Sequence, residues 1–442
     1  MKKPSVTILY HFFHPDDVVG ARQFSEFARE LAYRGWDVTV LTSNRYWGRH
    51  KARIPVSREE WCGVRIIRIP RCGWDQSHDV LRIGNALWMM AGWLVKLLRL
   101  PRSDAIVVGS DPQFSQLILP AIKTLIRPKV LAYWSFDLFP EAILADGVRG
   151  PVRWAAELMR HVVGQAYQSV DLMVDLGLCM RTRLNAHNHQ AKQETLTPWA
   201  LVEPKEPVPP DPATRHEMFG DASLGLLYSG NMGKAHDFMP FLHLARVLKR
   251  INPGIVFCFA CRGNRVGELR EAITPQDTNV RLVPFAEESE LEKRLNAADM
   301  HLLSLRPEWA GVVVPSKFFG SLAVGKPVLY AGPEFSSIAG WVRECDVGLV
   351  LTEDNFKNVI QDLLRICENP DVLLTWQENA IRTYQSRFSK RIVMDAWNAA
   401  LVNELDRDSQ SGPSNVSVIG ESSSRGRAAR TIGEHRIQRI HR

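Results

Sequence analysis

VVVPSKFFGSLAVGKPVLYAGPE, residues 312–334, is the stretch on which the reading of this chain turns. A β-branched run stops at Pro315. A short apolar block follows, is broken by Gly325, and gives way to a second strand-like run, PVLYA, that ends at Gly332. Where a strand hands over to a helix, the first helical N–H groups have no partners, and together with the helix dipole they favour an anion. Ser316 stands where the helix N-cap is expected and Lys317 lies in the first turn, while Gly332 precedes another expected helix start at SSIAGW.

The same alternation runs outward in both directions. On the N-terminal side, SVTILYHFF and WDVTVLTS read as strands. Between them Phe24, Phe27, Ala28, Leu31 and Ala32 recur at helical spacing until Gly35. AIVVGS, VLAYWS and DLMVDL follow, each with helical material after it. EPKEPVPPDPATR, residues 203–215, carries five prolines and reads as a stiff polar linker. The alternation then restarts with LGLLYSG, IVFCFA, VRLVPF, MHLLSL, PVLYA and VGLVL. The expected class is α/β, with two doubly wound Rossmann-like domains facing a cleft. The expected boundaries are an N-terminal domain over 1–202, the linker over 203–215, a C-terminal domain over 216–385, a closing helix over 386–408 and a basic, disordered tail over 409–442. No GxGxxG follows the first strand, which argues against a nicotinamide or flavin site.

Bulk properties fit this plan. A chain of 442 residues with 45% hydrophobic content is long enough for two cores. Seven cysteines, an odd number, point to a reducing compartment rather than a disulfide framework. Cys258 and Cys261 form a CxxC inside an apolar run; one pair cannot complete a tetrahedral metal site, so they read as core. The net charge is +7, but residues 409–442 alone hold six Arg and two Glu, so the body is only mildly basic and a nucleic-acid partner is not expected. No signal peptide is visible, and the expected location is cytoplasmic. IGNALWMMAGWLVKLLRLPR, residues 83–102, sets Trp88 and Trp93 in an apolar run interrupted by Lys96 and followed by Arg99 and Arg102. It is broken too early to span a bilayer and reads as an interfacial helix in peripheral contact with the inner face of a membrane; the alternative is a helix covering the first sheet.

The chemistry is expected at strand ends along the cleft. In LLYSGNMGKAHDF, residues 226–238, Gly230 and Gly233 allow close backbone approach, Asn231 offers an amide donor and Lys234 a cation. ACRGNR adds Arg262, Gly263 and Arg265. Three successive strand ends thus carry a basic residue beside a glycine turn, a pattern that suits a diphosphate.

With these motifs in view, the sequence resembles the family-4 retaining glycosyltransferases with the two-domain GT-B fold, and among them the bacterial enzymes of exopolysaccharide, O-antigen and colanic-acid assembly. The resemblance covers roughly residues 5–400. It rests on YHFFHPDDVVGARQFSEFARELAYRGWDVTVLTS, WSFDLFPEAILADG, YSGNMGKAHDF and PSKFFGSLAVGKPV. It implies a hexosyltransferase-type reaction, with a nucleotide-diphosphate sugar in the C-terminal domain and the acceptor in the N-terminal one. Lys234, Ser316 and Lys317 would lie at the diphosphate, and Arg262 and Gly263 would face the nucleobase. Gly20 would lie in the loop brought close to the sugar and phosphate, and Asp137 and Glu141 match the acidic DLWPE-like segment. Retention would follow if the acceptor hydroxyl passes its proton to the departing phosphate on the same face, with Asp137 orienting the acceptor or steadying the cationic centre; Asp137 as a helix cap is the structural alternative. No DxD lies at a core strand end, so the resemblance implies metal independence and no cofactor. Many family members carry two glutamates ahead of the GxPV segment. Aligned on Gly325 these positions are Val312 and Gly320 here, and a further family Glu is Ser337, leaving Glu308 and Glu334 as substitutes for holding the ribose.

The leading expectation is a membrane-associated transferase that moves a sugar from a nucleotide-sugar donor to a polyprenyl-diphosphate-linked or other saccharide acceptor. A nucleotide-sugar epimerase on the same scaffold and a catalytically degenerate partner subunit are the alternatives.

Overall fold

The computed structural model describes residues 3–48, 52–75, 78–204, 206, 208–285 and 288–410. Two sheets organise it. The first contains β1 (Ser5–Leu9), β2 (Asp37–Ser43), β3 (Arg58–Trp61), β4 (Val64–Ile69), β5 (Ala105–Gly109), β6 (Val130–Trp134), β7 (Leu172–Asp175) and β8 (Lys192–Thr195). Its order is β3-β4-β2-β1-β5-β6-β7-β8, parallel throughout except for the β3–β4 edge. The second contains β9 (Leu224–Asn231), β10 (Ile255–Arg262), β11 (Val280–Leu282), β12 (Met300–Ser304), β13 (Val328–Ala331) and β14 (Gly348–Leu351), all parallel in the order β11-β10-β9-β12-β13-β14.

The central strands are apolar along their whole length because helices cover both faces. Every residue of β5 and β6 is buried, as are the first seven of β10. Cys258 and Cys261 both lie buried in β10 and belong to different apolar clusters. All seven cysteines are free.

Strand order reverses between β1 and β5 in one lobe and between β9 and β12 in the other. Crevices form at such points, outside the carboxyl ends of the strands. The lobes meet there directly. Asp137 and Val313 form an antiparallel backbone bridge, and Leu138 N–H donates to Val312 O at 3.0 Å. Gly311 has φ +74°, and a Cβ at that position would stand 2.3 Å from Cys179 O of the first lobe, so only glycine permits this approach.

The chain ends by crossing back. Helix Lys390–Gln410 packs on the first sheet, where Trp397 lies 4.8 Å from Phe27 and 4.9 Å from Trp134 between ring centroids, and Asp395 pairs with Arg34 at 2.7 Å. Two expected boundaries shift. The last residues of the proline-rich segment are helical, because Asp211 caps helix Pro212–Phe219 through Thr214 N–H at 2.9 Å and proline is well suited to the first helical turn. The closing helix runs on to Gln410; residues 411–442, most of the expected tail, lie outside the described residues.

Candidate functional site

Between the lobes lies a cavity of about 460 Å³, within the range of small-molecule sites. The second lobe supplies three cations to its lining, Lys234, Arg262 and Lys317, and the first supplies Asp137 among mostly apolar neighbours such as Val19, Trp199 and Leu201. Among the described lining residues Asp137 is the one carboxylate.

Lys317 is the most constrained of the cations. It opens the seven-residue helix Lys317–Ala323, and its ammonium donates to Asn231 O at 2.7 Å, Tyr228 Oη at 3.1 Å and His236 Nε2 at 3.2 Å, with the Tyr228 ring 4.7 Å away. Burial lowers its pKa to about 7. Burial, then the Lys317 charge, pushes His236 down to about 3, so its ring is neutral and can accept from Lys317 while Nδ1–H faces Ser304 O at 2.7 Å. Gly230, at φ +120°, makes room for Lys317; a Cβ there would come within 2.7 Å of Cε. Asn231 and Gly233 line the cavity beside it. Lys234 reaches across the cleft to Asp146 of the first lobe. Arg262 lies 4.5 Å over the Phe285 ring. Gly263 is behind the lining, with φ +121° and a Cβ position 2.6 Å from Asn231 Oδ1.

Asp137 closes the other wall. Ser110 Oγ accepts from Phe136 N–H at 3.0 Å and Asp137 N–H at 3.3 Å, fixing the β6 loop against the end of β5. The carboxylate is open to the cleft but surrounded by protein. Desolvation, with a smaller contribution from the Asp111 charge, raises its pKa to about 6. It does not cap the following helix Glu141–Ala145, whose N-cap is Pro140.

Several expected site residues lie elsewhere. Glu141 is 5% exposed and turned away from the cavity. Its Oε1 meets His187 Nε2 at 3.0 Å and Arg160 Nε at 3.6 Å; burial is the largest influence and raises its pKa, but the His187 and backbone hydrogen bonds together with the His187 and Arg160 charges hold it below the usual range. That geometry makes Glu141 a structural anchor, not a reacting group. Ser316 stands at the N-cap position and lines the cavity, but its side chain makes no capping bond. Gly332 is outside the lining, packed on Tyr330 Oη and Leu305 O, and the next helix start is covered by the first lobe, where Ser337 Oγ accepts from Cys179 N–H at 3.1 Å. Glu308 and Glu334 are outside the lining too; their carboxylates pair with arginines of the same lobe, Arg306 at 3.8 Å and Arg343 at 2.6 Å. Gly20 is the second residue of helix Val19–Tyr33 rather than part of a loop, and it packs on Tyr10 while Val19 meets the cavity. Val312 is buried, whereas Gly320 opens on the cavity with no atom within 4 Å of an added Cβ.

The sequence reading missed Gln23, Trp199, Phe285 and the pair His301–Ser321, all in the lining. Gln23 is 1% exposed and donates to Trp199 O at 2.7 Å. A large polar residue among the mostly apolar buried positions of the first helix was its one visible signal. His301 is held by Ser321 Oγ at 2.7 Å and Leu295 O at 2.9 Å, and burial lowers its pKa to about 4.

Helix Asp79–Leu97 covers the first sheet with Trp93 and Met89, both fully buried, and turns Trp88 outward at 52% exposure. Trp93 is therefore core. No described helix is long and apolar enough to cross a membrane.

Residues 20–199 match the glycosyl transferase 4-like domain. The probable glycosyltransferase WbjE of Pseudomonas aeruginosa is 25% identical over 255 residues, 57% of this chain and 62% of that protein, so the match spans less than two thirds of the relative. Among solved structures, sucrose-phosphate synthase from Thermosynechococcus elongatus is similar at TM-score 0.68 and 13% identity, over 92% of this chain and all of that one. WaaG, a glycosyltransferase involved in lipopolysaccharide biosynthesis, gives 0.61 and 16%, over 89% of this chain and 99% of that one. Anabaena Alr3699/HepE in complex with UDP-glucose gives 0.61 and 12%, over 91% and 99%. The resemblance to family-4 glycosyltransferases is borne out, and the fold is GT-B, two Rossmann-like lobes around a cleft. The matched domain and the relative are both of the glycosyltransferase type, and the solved structures share the fold.

Proposed function

We propose, for a chain whose first lobe carries a glycosyl transferase 4-like domain, that it is a retaining glycosyltransferase which moves a sugar from a nucleotide-diphosphate donor to a lipid-linked saccharide in cell-surface polysaccharide synthesis. The carrying observation is the charge asymmetry of the cleft, three cations on one wall against one carboxylate on the other. Cleaving a sugar–phosphate bond puts negative charge on the diphosphate and positive charge on the anomeric carbon. Fixed cations on the donor side and a carboxylate on the acceptor side suit that separation.

In this reading Lys234 gives up Asp146 for the diphosphate, and Lys317 contributes charge through the turn it braces. Arg262 and Phe285 offer a flat surface to the nucleobase, and the space beside Gly320 receives the ribose. Asp137, with its raised pKa, orients the acceptor hydroxyl, whose proton leaves with the diphosphate on the same face. The charge is met by side chains, so the reaction needs no metal and no further cofactor. The HepE structure with UDP-glucose and the WaaG role in lipopolysaccharide assembly support the donor class and the setting by likeness of fold. The site of action is the cytoplasmic face of the membrane, with the protein bound peripherally.

Incubation of the purified protein with a panel of labelled nucleotide sugars, a polyprenyl-diphosphate-linked acceptor and EDTA tests this. Label is expected in the lipid fraction with its anomeric configuration kept. Conversion of the free nucleotide sugar alone would favour the epimerase, and failure to bind any nucleotide sugar would leave a degenerate subunit.

A further inference from the structure

We propose that helices Asp79–Leu97 and Gly150–Tyr167 together form one lipid-binding face on the first lobe, directed at an anionic bilayer and set at the rim of the cleft. The second of these helices gave no such signal in the sequence. Both pack against the turn Ser115–Ile118 and so flank the same side of the first sheet. The outward side of the first helix is apolar at helical spacing, with Val80, Ile83, Leu87 and Val95 exposed alongside Trp88. The second helix shows Trp154, Leu158 and Val162 four residues apart on its surface, with Trp154 at 71% exposure. Large apolar side chains clustered in this way mark an interaction surface rather than ordinary surface scatter.

Charge selects the occupant. The C-terminal end of the first helix and the residues after it hold Lys96, Arg99 and Arg102 with no acidic residue from 80 to 102, while Arg82 sits on the inward side with its Nε buried. Arg149 precedes the second helix and Arg153 and Arg160 lie within it; Glu157, its one carboxylate, is 3.0 Å from Arg160 and 3.9 Å from Arg153, and Arg160 also faces Glu141 at 3.6 Å, which leaves net positive charge along this side. Apolar side chains ringed by cations match an anionic interface, with indoles at the headgroup level. In a parallel α/β lobe the helices after β4 and β6 start at the carboxyl ends of those strands, which is the cleft end. Trp88 Nε1 donates to Pro70 O, next to β4, at 2.6 Å, and Asp146, just before the second helix, pairs with Lys234 across the cleft. Both helices therefore start at the cleft end, where a lipid-borne acceptor would enter, and carry their exposed apolar residues away from it along the same side of the sheet. In purpose the inference rests on the lipid-linked acceptor reading; the surface itself does not.

The test is co-sedimentation of the full chain with vesicles of phosphatidylcholine alone or in equal mixture with phosphatidylglycerol. Binding is expected to the mixture and to be lost at high salt. Ile83→Glu with Leu87→Glu, and separately Trp154→Glu with Leu158→Glu, should each weaken it by about tenfold or more without changing the melting temperature. Wild-type binding by the second pair would overturn the two-helix face. Equal binding to neutral vesicles would overturn the charge argument. A stable dimer in solution that either pair dissociates would show that a second copy occupies the face instead. Nucleotide binding by the same variants is the separate readout: if it persists while vesicle binding is absent in the wild type, the face fails and the transferase reading stands.

Discussion

The two walls of the cleft come from lobes built on the same doubly wound parallel plan and carry opposite chemistry. On the second-lobe wall, β9 and β10 end in glycine turns with positive φ, and Lys317, Lys234 and Arg262 project beside them. On the first-lobe wall the strand ends are packed by Trp199, Leu201 and Val19, with one carboxylate, Asp137, held out by the β6 loop. A doubly wound sheet supplies the crevice in either case; loop residues decide whether that crevice grips an anion or presents a base. The lesson is that the lining charges separate by lobe before any ligand is considered, as the proposed donor and acceptor roles require.

That contrast can be broken most strongly at Lys317. Lys317→Met should lower nucleoside-diphosphate affinity by roughly tenfold to a hundredfold and kcat/KM by about 10²–10³, read by calorimetry and steady-state assay. Asp137→Asn should cut kcat by about tenfold to a hundredfold while leaving nucleotide affinity intact. The wild-type rate should fall as pH drops through about 6, where Asp137 takes up its proton, and the Asn variant should lose that limb. A comparable loss of nucleotide affinity in Asp137→Asn would erase the division of roles.

The difference can then be sharpened by pH. Lys317 has its free-state pKa lowered to about 7, so it is charged below that pH and increasingly neutral above it. Nucleotide binding should therefore hold steady below about 7 and weaken by at most about tenfold per unit above it, because binding must take up a proton. Proton uptake measured by calorimetry in two buffers checks the sign. Glu141→Gln should lower stability by about 1–3 kcal/mol with little change in turnover per folded molecule. Its folded pKa is depressed, so its contribution is present at neutral pH and lost as pH falls through the carboxylate range, as thermal melts at pH 7 and 4 would show. Glu308→Ala and Glu334→Ala should change either activity or stability least, since both are exposed and pair only at the surface.

Much of the fold was legible because its core strands are unbroken apolar runs bounded by glycine or proline. What escaped were strands without that signature. REEW (β3) and KQET (β8) are polar edges, and VRIIRI (β4) carries two arginines. The helix hidden in the proline-rich segment needed Asp211 to be recognised as a cap. At the site, the glycine turns and Lys317 were legible because their chemistry is local in sequence. Glu141 and Gly332 misled for the opposite reason. Their neighbours His187 and Leu305 are distant along the chain, and those contacts, not the local motif, decide what the residues face.

The central claim is that the second-lobe wall holds the diphosphate of the donor. A crystal of the protein grown or soaked with uridine or guanosine diphosphate tests it most directly. The account predicts the two phosphates against the Gly230–Lys234 turn, with Lys234 released from Asp146 and Lys317 within reach. Phosphates bound on the first-lobe wall, or a nucleotide that binds in solution but leaves this turn unoccupied, would contradict it.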